Sequence, residues 1–488
     1  MSKKINNSEI KSLGYTDERA LKEAGWLART YYRNHHEWRG DKQKIYEFLA
    51  AIYAEPEKFL QHEDAYKVAF ELVEWKKELG KTLPTPQNFT LREQPLPYNI
   101  YGANGIEEGA LRQMNNAMKL PVAVAGALMP DAHQGYGLPI GGVLATPANI
   151  VIPYAVGVDI ACRMCLSIFD IEATYYMDNK QHLLKGFLQE NTLFGIDGHF
   201  KQPLQDDLFD QEEWRATKLI RHLREKAIRQ VGTSGTGNHF VEFGVLEVQA
   251  PTADIPLPQG KYLALLSHSG SRGFGATIAG HYSKLAMELT ELPKEAQHLA
   301  WLDLNTEEGM EYWIAMNLAG EYASTNHHHI HKRMAKSLGV KPVLMIENHH
   351  NFAWKETLAD GTPVIVHRKG ATPASETDLG IIPGTMASPA FVVRGKGNPN
   401  SLNSASHGAG RLMSRTKAFD TFTKQDVKKV LTEKGITLFG GDLDEAPMVY
   451  KDIYEVMKAQ EELVTVLAKF HPKIVRMADA DRKQPRED

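Results

Sequence analysis

A chain of 488 residues, 42% hydrophobic and 24% charged, has the composition of a soluble globular protein. It exceeds the usual limit of one small core, so one large domain with an appendage, or two domains, is expected. A formal net charge of -4 gives no global attraction for nucleic acid, so such binding needs a local basic patch, which argues against a simple binding module.

The first residues, MSKKINNSEIKSLGYTDERA, contain no apolar signal region, and no run of about 18 apolar residues follows, so the reading is a cytoplasmic protein with no membrane partner. Helical spacing in ALKEAGWLARTYYRNHHEW and DKQKIYEFLAAIYAEPEKFL predicts a helical N-terminal extension over 1–90. Its aromatic and basic content suggests that it holds substrate. TLPTPQNFTLREQPLPYN, with four prolines, reads as a linker. From 98 onward short apolar runs, VIPYAVGVDIA, YLALLSHSG, PVLMIENHHN and TPVIVHRKG, end in polar or glycine residues. They read as buried strands delivering side chains into a shared cleft. Helical stretches lie near 211–231, 274–291, 306–335 and 423–435, so the class is α/β, of the α+β kind.

In GVDIACRMC, Cys162-x-x-Cys165 has the spacing of a redox pair. Such a pair normally opens a helix, whereas MCLSIFDI reads as a strand, where residues three apart face opposite sides. A tight bend after Gly157 instead brings the Asp159 carboxylate and the Cys162 sulfur to one metal, and a thiolate can bridge two. His239 in GTSGTGNHFVEFG, His268 in YLALLSHSGSRG and His350 in LMIENHHNFAW each follow a strand approach and suit the same cavity. NHHHIHKRM, with His327, His328, His329 and His331, offers either a metal cluster or a polar helix surface, and the lack of an acidic or cysteine partner nearby favours the surface. GTSGTGN, HSGSRGFG, IIPGTMASP and HGAGR let backbone amides approach an anion. With Arg272, Lys369, Arg411 and Arg415 between them, they favour a phosphate-rich ligand. In SASHGAGR, His407 stands among residues of almost no bulk.

Taken in order, MPDAHQGYGLPIGG, GVDIACRM, GTGNHFVEF, HSGSRG, HHNFAW, VHRKGATPA, SHGAGRLMSR and DEAPMVYKD resemble the RNA-splicing ligase RtcB family over roughly 98–478. The resemblance implies a compact fold of that type with a dinuclear metal cleft. It implies a GTP-dependent ligase that joins an RNA 2′,3′-cyclic phosphate or 3′-phosphate end to a 5′-hydroxyl end with two manganese ions, in RNA repair or tRNA splicing, with archease as activator. Matched position by position, Cys162 is the bridging thiolate, His268 and His350 complete one manganese site, and Asp159 with His239 completes the other. His407 falls on the nucleophile that forms a histidine-GMP intermediate. Asn238, Glu242, Gly408, Ala409, Gly410 and Tyr450 fall on nucleotide contacts, and Arg272 and Arg411 suit RNA phosphates.

Departures from the family pattern sit beside these matches. Met477 and Ala478 stand where the family ends in a lysine-glycine pair, with Arg476 one step away. Ala390, after Pro389, replaces an expected serine. Arg163 replaces a glycine beside the metal cysteine, and Pro373 replaces an arginine. They leave three readings open: ligation, capping of 3′-phosphate ends without ligation, and a non-catalytic RNA-end binder. Retention of His407 and the metal ligands speaks against the last.

Overall fold

A computed structural model of the protein describes residues 5–35, 37–79 and 85–479. The chain divides into one unit over Met1–Thr85 and another over Pro86–Asp488.

The first unit is built from helices Asn7–Ser12, Glu18–Asn34, Lys42–Ala54 and Tyr66–Leu79. Asn6, Asp17 and Asp41 cap the first three, each side chain accepting from a free backbone N–H in the first turn. Ile10, Leu27, Leu49, Ile52 and Leu72 are buried together, and the Tyr15 hydroxyl donates to the Leu49 carbonyl at 2.8 Å. Tyr31, Trp38 and Phe48 pack with ring centroids 5.0 to 5.6 Å apart. This is a core of its own, closed within the first unit.

The unit boundary at Thr85 corrects the linker expectation. Residues 82–84 lie outside the described residues, and the stretch after them belongs to the second unit. Gln87–Asn88 pairs in parallel with Thr290–Glu291, Phe89 sits 4.6 Å from the Trp301 ring, and Arg92 donates to the Pro121 carbonyl at 2.9 Å. Phe89, Leu91 and Leu96 supply the apolar contact that proline content alone concealed.

Two sheets frame the second unit. The larger has eight strands, in the order Leu344–His349, Arg163–Glu172, Gly260–Ser269, Phe240–Val248, Val464–Met477, Ala390–Gly395 and Leu379–Ile382, with Thr437–Phe439 added beside Val464–Met477. The smaller runs Asn351–Thr357, Pro363–Lys369, Ile140–Pro147, Ala125–His133 and Asn99–Ile100. His350 is the single residue between Leu344–His349 of the larger sheet and Asn351–Thr357 of the smaller, each the first strand of its order. The α+β reading holds, and the helices near 218–230, 272–289, 307–338 and 424–434 match the predicted stretches. No helix among the described residues is long and apolar enough to cross a membrane.

Two elements differ from expectation. VIPYAVGVDIA is not a strand beyond Val151: Pro153 opens a single helical turn to Val156, and Gly157, at φ +108°, ends it. Proline at the first helical position pre-sets the turn, which outweighs the β-branched run. The histidine run is not a polar surface either. Helix Glu307–Leu338 buries His327 and His331 completely, while the His328 side chain stays half exposed. His327 and His331 are four apart and so share the helix face toward the sheet, where serine hydroxyls meet them.

Candidate active site

Gly157 is where the site begins. Its positive φ turns the chain back on itself, and Ala161 at φ +56° completes the bend that presents Asp159 and Cys162 together. The bend is tied down by backbone bonds from Ala161 N to Asn351 O at 2.7 Å and from His350 N to Cys162 O at 3.0 Å. His268, at the end of Gly260–Ser269, and His239, just before Phe240–Val248, come from neighbouring strands of the large sheet.

Cys162 Sγ lies 3.1 Å from His268 Nε2 and 3.5 Å from His239 Nε2. His268 Nε2 and His350 Nε2 are 3.3 Å apart. Two buried triads result, Cys162 with His268 and His350, and Asp159 with Cys162 and His239, and they share the sulfur. The Asp159 Oδ1 accepts from Ser271 N at 3.0 Å. Its Oδ2 faces His239 Nε2 at 3.1 Å without an aligned hydrogen bond. A Cβ on Gly270 would fall 2.1 Å from both Asp159 oxygens, so only glycine fits there.

The donor set suits a divalent transition metal. His268 Nδ1 faces the Asn238 carbonyl at 3.2 Å; a carbonyl only accepts, so the ring proton sits on Nδ1 and the Nε2 lone pair points into the cluster. Burial, then the charge of His239, holds the His268 imidazole down at about 3, and burial also holds His350 well below its usual value. Neutral imidazoles, a carboxylate and a thiol that would ligate as thiolate are what such an ion takes up.

His407 follows the short strand Ser404–Ser406, which pairs with Ala371–Pro373, and Ala371 N donates to the His350 carbonyl. This places the His407 ring 4.8 Å from that of His350. The His407 Nδ1 donates to Asp131 Oδ2 at 2.7 Å, and the backbone N–H groups of His407 and Gly408 converge on the same oxygen. Asp131 is fully buried. Burial alone would raise its pKa, but the His407 hydrogen bond and charge outweigh this and lower it. The carboxylate therefore fixes the proton on Nδ1 and leaves the Nε2 lone pair unprotonated, with the imidazole side chain 17% exposed. Gly410, at φ +74°, lets the Asp131 carbonyl approach to where a Cβ would lie at 2.0 Å. Asp131 was missed from sequence. It lies inside MPDAHQG, but 276 residues separate it from its partner, and no spacing rule connects them.

Of the remaining expected contacts, Asn238 has a buried Oδ1 with no hydrogen-bond partner. Glu242 is buried on Phe240–Val248, and burial pushes its carboxyl well up. The Tyr450 hydroxyl donates to Glu445. Arg411 bonds the Asp444 carbonyl at 2.7 Å and reaches Tyr450 Oη at 3.4 Å, and Arg415 pairs with Asp444 at 2.7 Å and with Glu445. Arg272 departs from the expected phosphate contact. It is 1% exposed, and its guanidinium bonds Thr233 Oγ1 at 3.1 Å and the Gly195 carbonyl at 2.6 Å. Its position, at φ +56° beginning helix Arg272–Leu289, turns the side chain into the protein. Arg163 pairs with Glu347 at 3.0 Å and donates to the Gly320 carbonyl, away from the ligand triads.

Residues 113–478 match the family model for the tRNA-splicing ligase RtcB. The chain is 34% identical over 392 residues to RNA-splicing ligase RtcB1 of Escherichia coli (strain ATCC 25922), covering 74% of this chain and 92% of the relative. It is equally similar, over the same shares, to RNA-splicing ligase RtcB of Escherichia coli K12. It is 29% identical over 438 residues to tRNA-splicing ligase RtcB of Methanococcus maripaludis, covering 74% and 90%. The order of motifs, the buried two-triad cluster and these matches agree: the chain belongs to the RtcB family of tRNA-splicing ligases.

Proposed function

We propose that the protein is an RNA ligase that activates RNA 3′-phosphate ends with GTP through His407 and joins them to 5′-hydroxyl ends. The observation that carries this is the Asp131–His407 pair beside the Cys162 cluster. A histidine held as the Nδ1–H tautomer has a free Nε2, and nothing bulky follows it in HGAG.

Asp159, Cys162, His239, His268 and His350 would hold two manganese ions, with Cys162 shared between them. Bound there, the metal would offset negative charge on the phosphates. His407 Nε2 attacks the α-phosphorus of GTP, an N–P bond forms, and the bond to the departing pyrophosphate breaks. Where the RNA end is a 2′,3′-cyclic phosphate, water first opens it to a 3′-phosphate. An oxygen of that phosphate takes the GMP from His407, and the N–P bond breaks as a phosphoanhydride forms. The 5′-hydroxyl of the second RNA then attacks the RNA phosphorus, loses its proton and expels GMP. Asn238, Glu242, Gly408, Ala409, Gly410 and Tyr450 are assigned to the nucleotide, with Glu242 at the guanine edge, and Arg411 to phosphate. An archease would serve as activator.

The test supplies two RNA fragments, one ending in a labelled cyclic phosphate and one beginning with a 5′-hydroxyl, with GTP and manganese. The expected product is a joined strand that keeps the label at the junction. A 3′ end carrying GMP that is never joined would replace ligation by capping, and a strand bound but unchanged would leave only end binding.

A further inference from the structure

Behind the metal cluster lies a second buried set. The Cys165 sulfur and ring nitrogens of His327 and His331 lie within 4.8 Å of one another, so by distance alone they resemble another ligand triad. We infer instead that Asn326, His327 and His331 form a metal-free network whose role is to position the segments carrying His239 and His268. The inference rests on the metal reading above.

The hydrogen bonds decide between the two. His327 Nε2 lies 3.0 Å from the Ser269 carbonyl. A carbonyl has no proton, so the His327 ring must carry its own on Nε2. Its Nδ1 is then bare and accepts from the Ser267 hydroxyl at 2.6 Å. Having spent its one proton, Ser267 Oγ accepts from His331 Nε2 at 2.8 Å. His331 Nδ1 is left bare and accepts from Ser167 Oγ at 2.7 Å. Every ring nitrogen has a partner of the right sense, and the direction of the chain, from Ser167 to the Ser269 carbonyl, is fixed by its last acceptor. Burial supports the neutral forms by holding His331 at about 3, His327 well below its usual value and the Cys165 thiol in its protonated form. The catalytic cluster is different: Asp159 Oδ2, which faces His239 Nε2 at 3.1 Å, is buried without a hydrogen-bond partner. A metal completes the first set, whereas it would have to break a finished chain in the second.

What the network holds follows from strand alternation. Ser267 and Ser269 flank His268 and point to the opposite face of Gly260–Ser269. Pinning both from the helix side leaves the His268 ring one direction to face. Asn326, one residue before His327, takes Gly232 N at 2.6 Å and Thr233 N at 3.1 Å on its Oδ1. Its Nδ2 donates to the Thr233 carbonyl at 2.9 Å and to Ser269 Oγ at 3.2 Å. One turn of helix thus grips the start of the loop that ends in His239 and the strand end that carries His268.

The test is cobalt(II) titration of the full chain, read by the thiolate-to-cobalt absorption and by ions bound per chain. Ser267→Ala, checked for folding by its melting temperature, is expected to weaken cobalt binding about tenfold with the number of ions unchanged, as loss of a partner behind a ligand does. Ser267→Thr, which restores the hydroxyl, should recover most of the affinity lost in Ser267→Ala. Cys165→Ala should change neither quantity. If Ser267→Ala does not fold, Ser167→Ala, at the far end of the same chain, takes its place with a smaller loss. An ion lost in Cys165→Ala would make the set a metal site and overturn the inference. Unchanged affinity in the serine variant would do the same while leaving the metal reading standing. A wild type that binds no cobalt would sink the metal reading and the inference with it.

Discussion

Replacing Asp131 by Asn tests the geometry of the nucleophile without touching a metal ligand. The carboxylate oxygen takes three donors: His407 Nδ1 at 2.7 Å, His407 N at 3.2 Å and Gly408 N at 3.3 Å. An asparagine oxygen keeps the shape but not the charge, and if its NH2 turns toward the ring it stabilises the wrong tautomer, with the proton on Nε2. A hydrogen bond to a charged partner contributes about 1.5–3 kcal/mol. At about 1.4 kcal/mol per decade, its loss slows His407 nucleotidylation roughly 10- to 150-fold. The assay is the initial rate of label transfer from α-phosphate-labelled GTP to the protein, with bound metal and melting temperature measured alongside. A folded, metal-loaded Asp131→Asn protein that labels within about threefold of wild type would refute the tautomer argument, since the bond would then contribute less than about 1 kcal/mol.

Other perturbations have equally direct readouts. Cys162→Ala removes the ligand common to both triads, so both ions should be lost in a metal-content measurement; loss of only one would break the bridging assignment. Gly410→Ala forces a Cβ to 2.0 Å from the Asp131 carbonyl at φ +74°, and about 3 kcal/mol or more of destabilisation is expected in denaturant unfolding; a neutral result would mean that the turn relaxes. His367 is buried between the Ile152 N–H and the Leu144 carbonyl, and burial holds it at about 4. Its folded pKa lies below the unfolded value of about 6.5, so its contribution is fully present above that pH and is lost as pH falls toward 4, at up to about 1.4 kcal/mol per pH unit. His367→Gln should flatten the stability profile by that slope in that window, and an unchanged profile would contradict the assignment. Residues 1–85, expressed alone, should be helical and melt cooperatively, because the core of that unit is internal; a featureless melt would refute its independence.

The clustering of Asp159, Cys162 and three histidines was legible because motifs place these side chains at strand ends and glycine turns. Asp159, Cys162, His239, His268 and His350 converge because each follows a glycine turn or a strand terminus, features that leave local traces in sequence. What depended on packing partners far along the chain was not legible. Asp131 meets His407 only through the juxtaposition of Ala125–His133 with the loop after Ser404–Ser406. Arg272 reads as a phosphate ligand because it follows a glycine-rich turn, yet Thr233 and Gly195 claim its guanidinium. His327 and His331 read as surface because their hydroxyl partners, Ser267 and Ser167, lie 60 and 164 residues away on other strands.

The central claim is that His407 is the nucleophile, and covalent labelling tests it most directly. Metal-loaded wild-type protein is incubated with α-phosphate-labelled GTP and manganese, beside α-phosphate-labelled ATP and a His407→Ala control. The account predicts acid-labile label on the wild type that requires GTP and manganese and disappears in His407→Ala. Label that persists in His407→Ala, or folded metal-loaded wild type that takes none from either nucleotide, would contradict it.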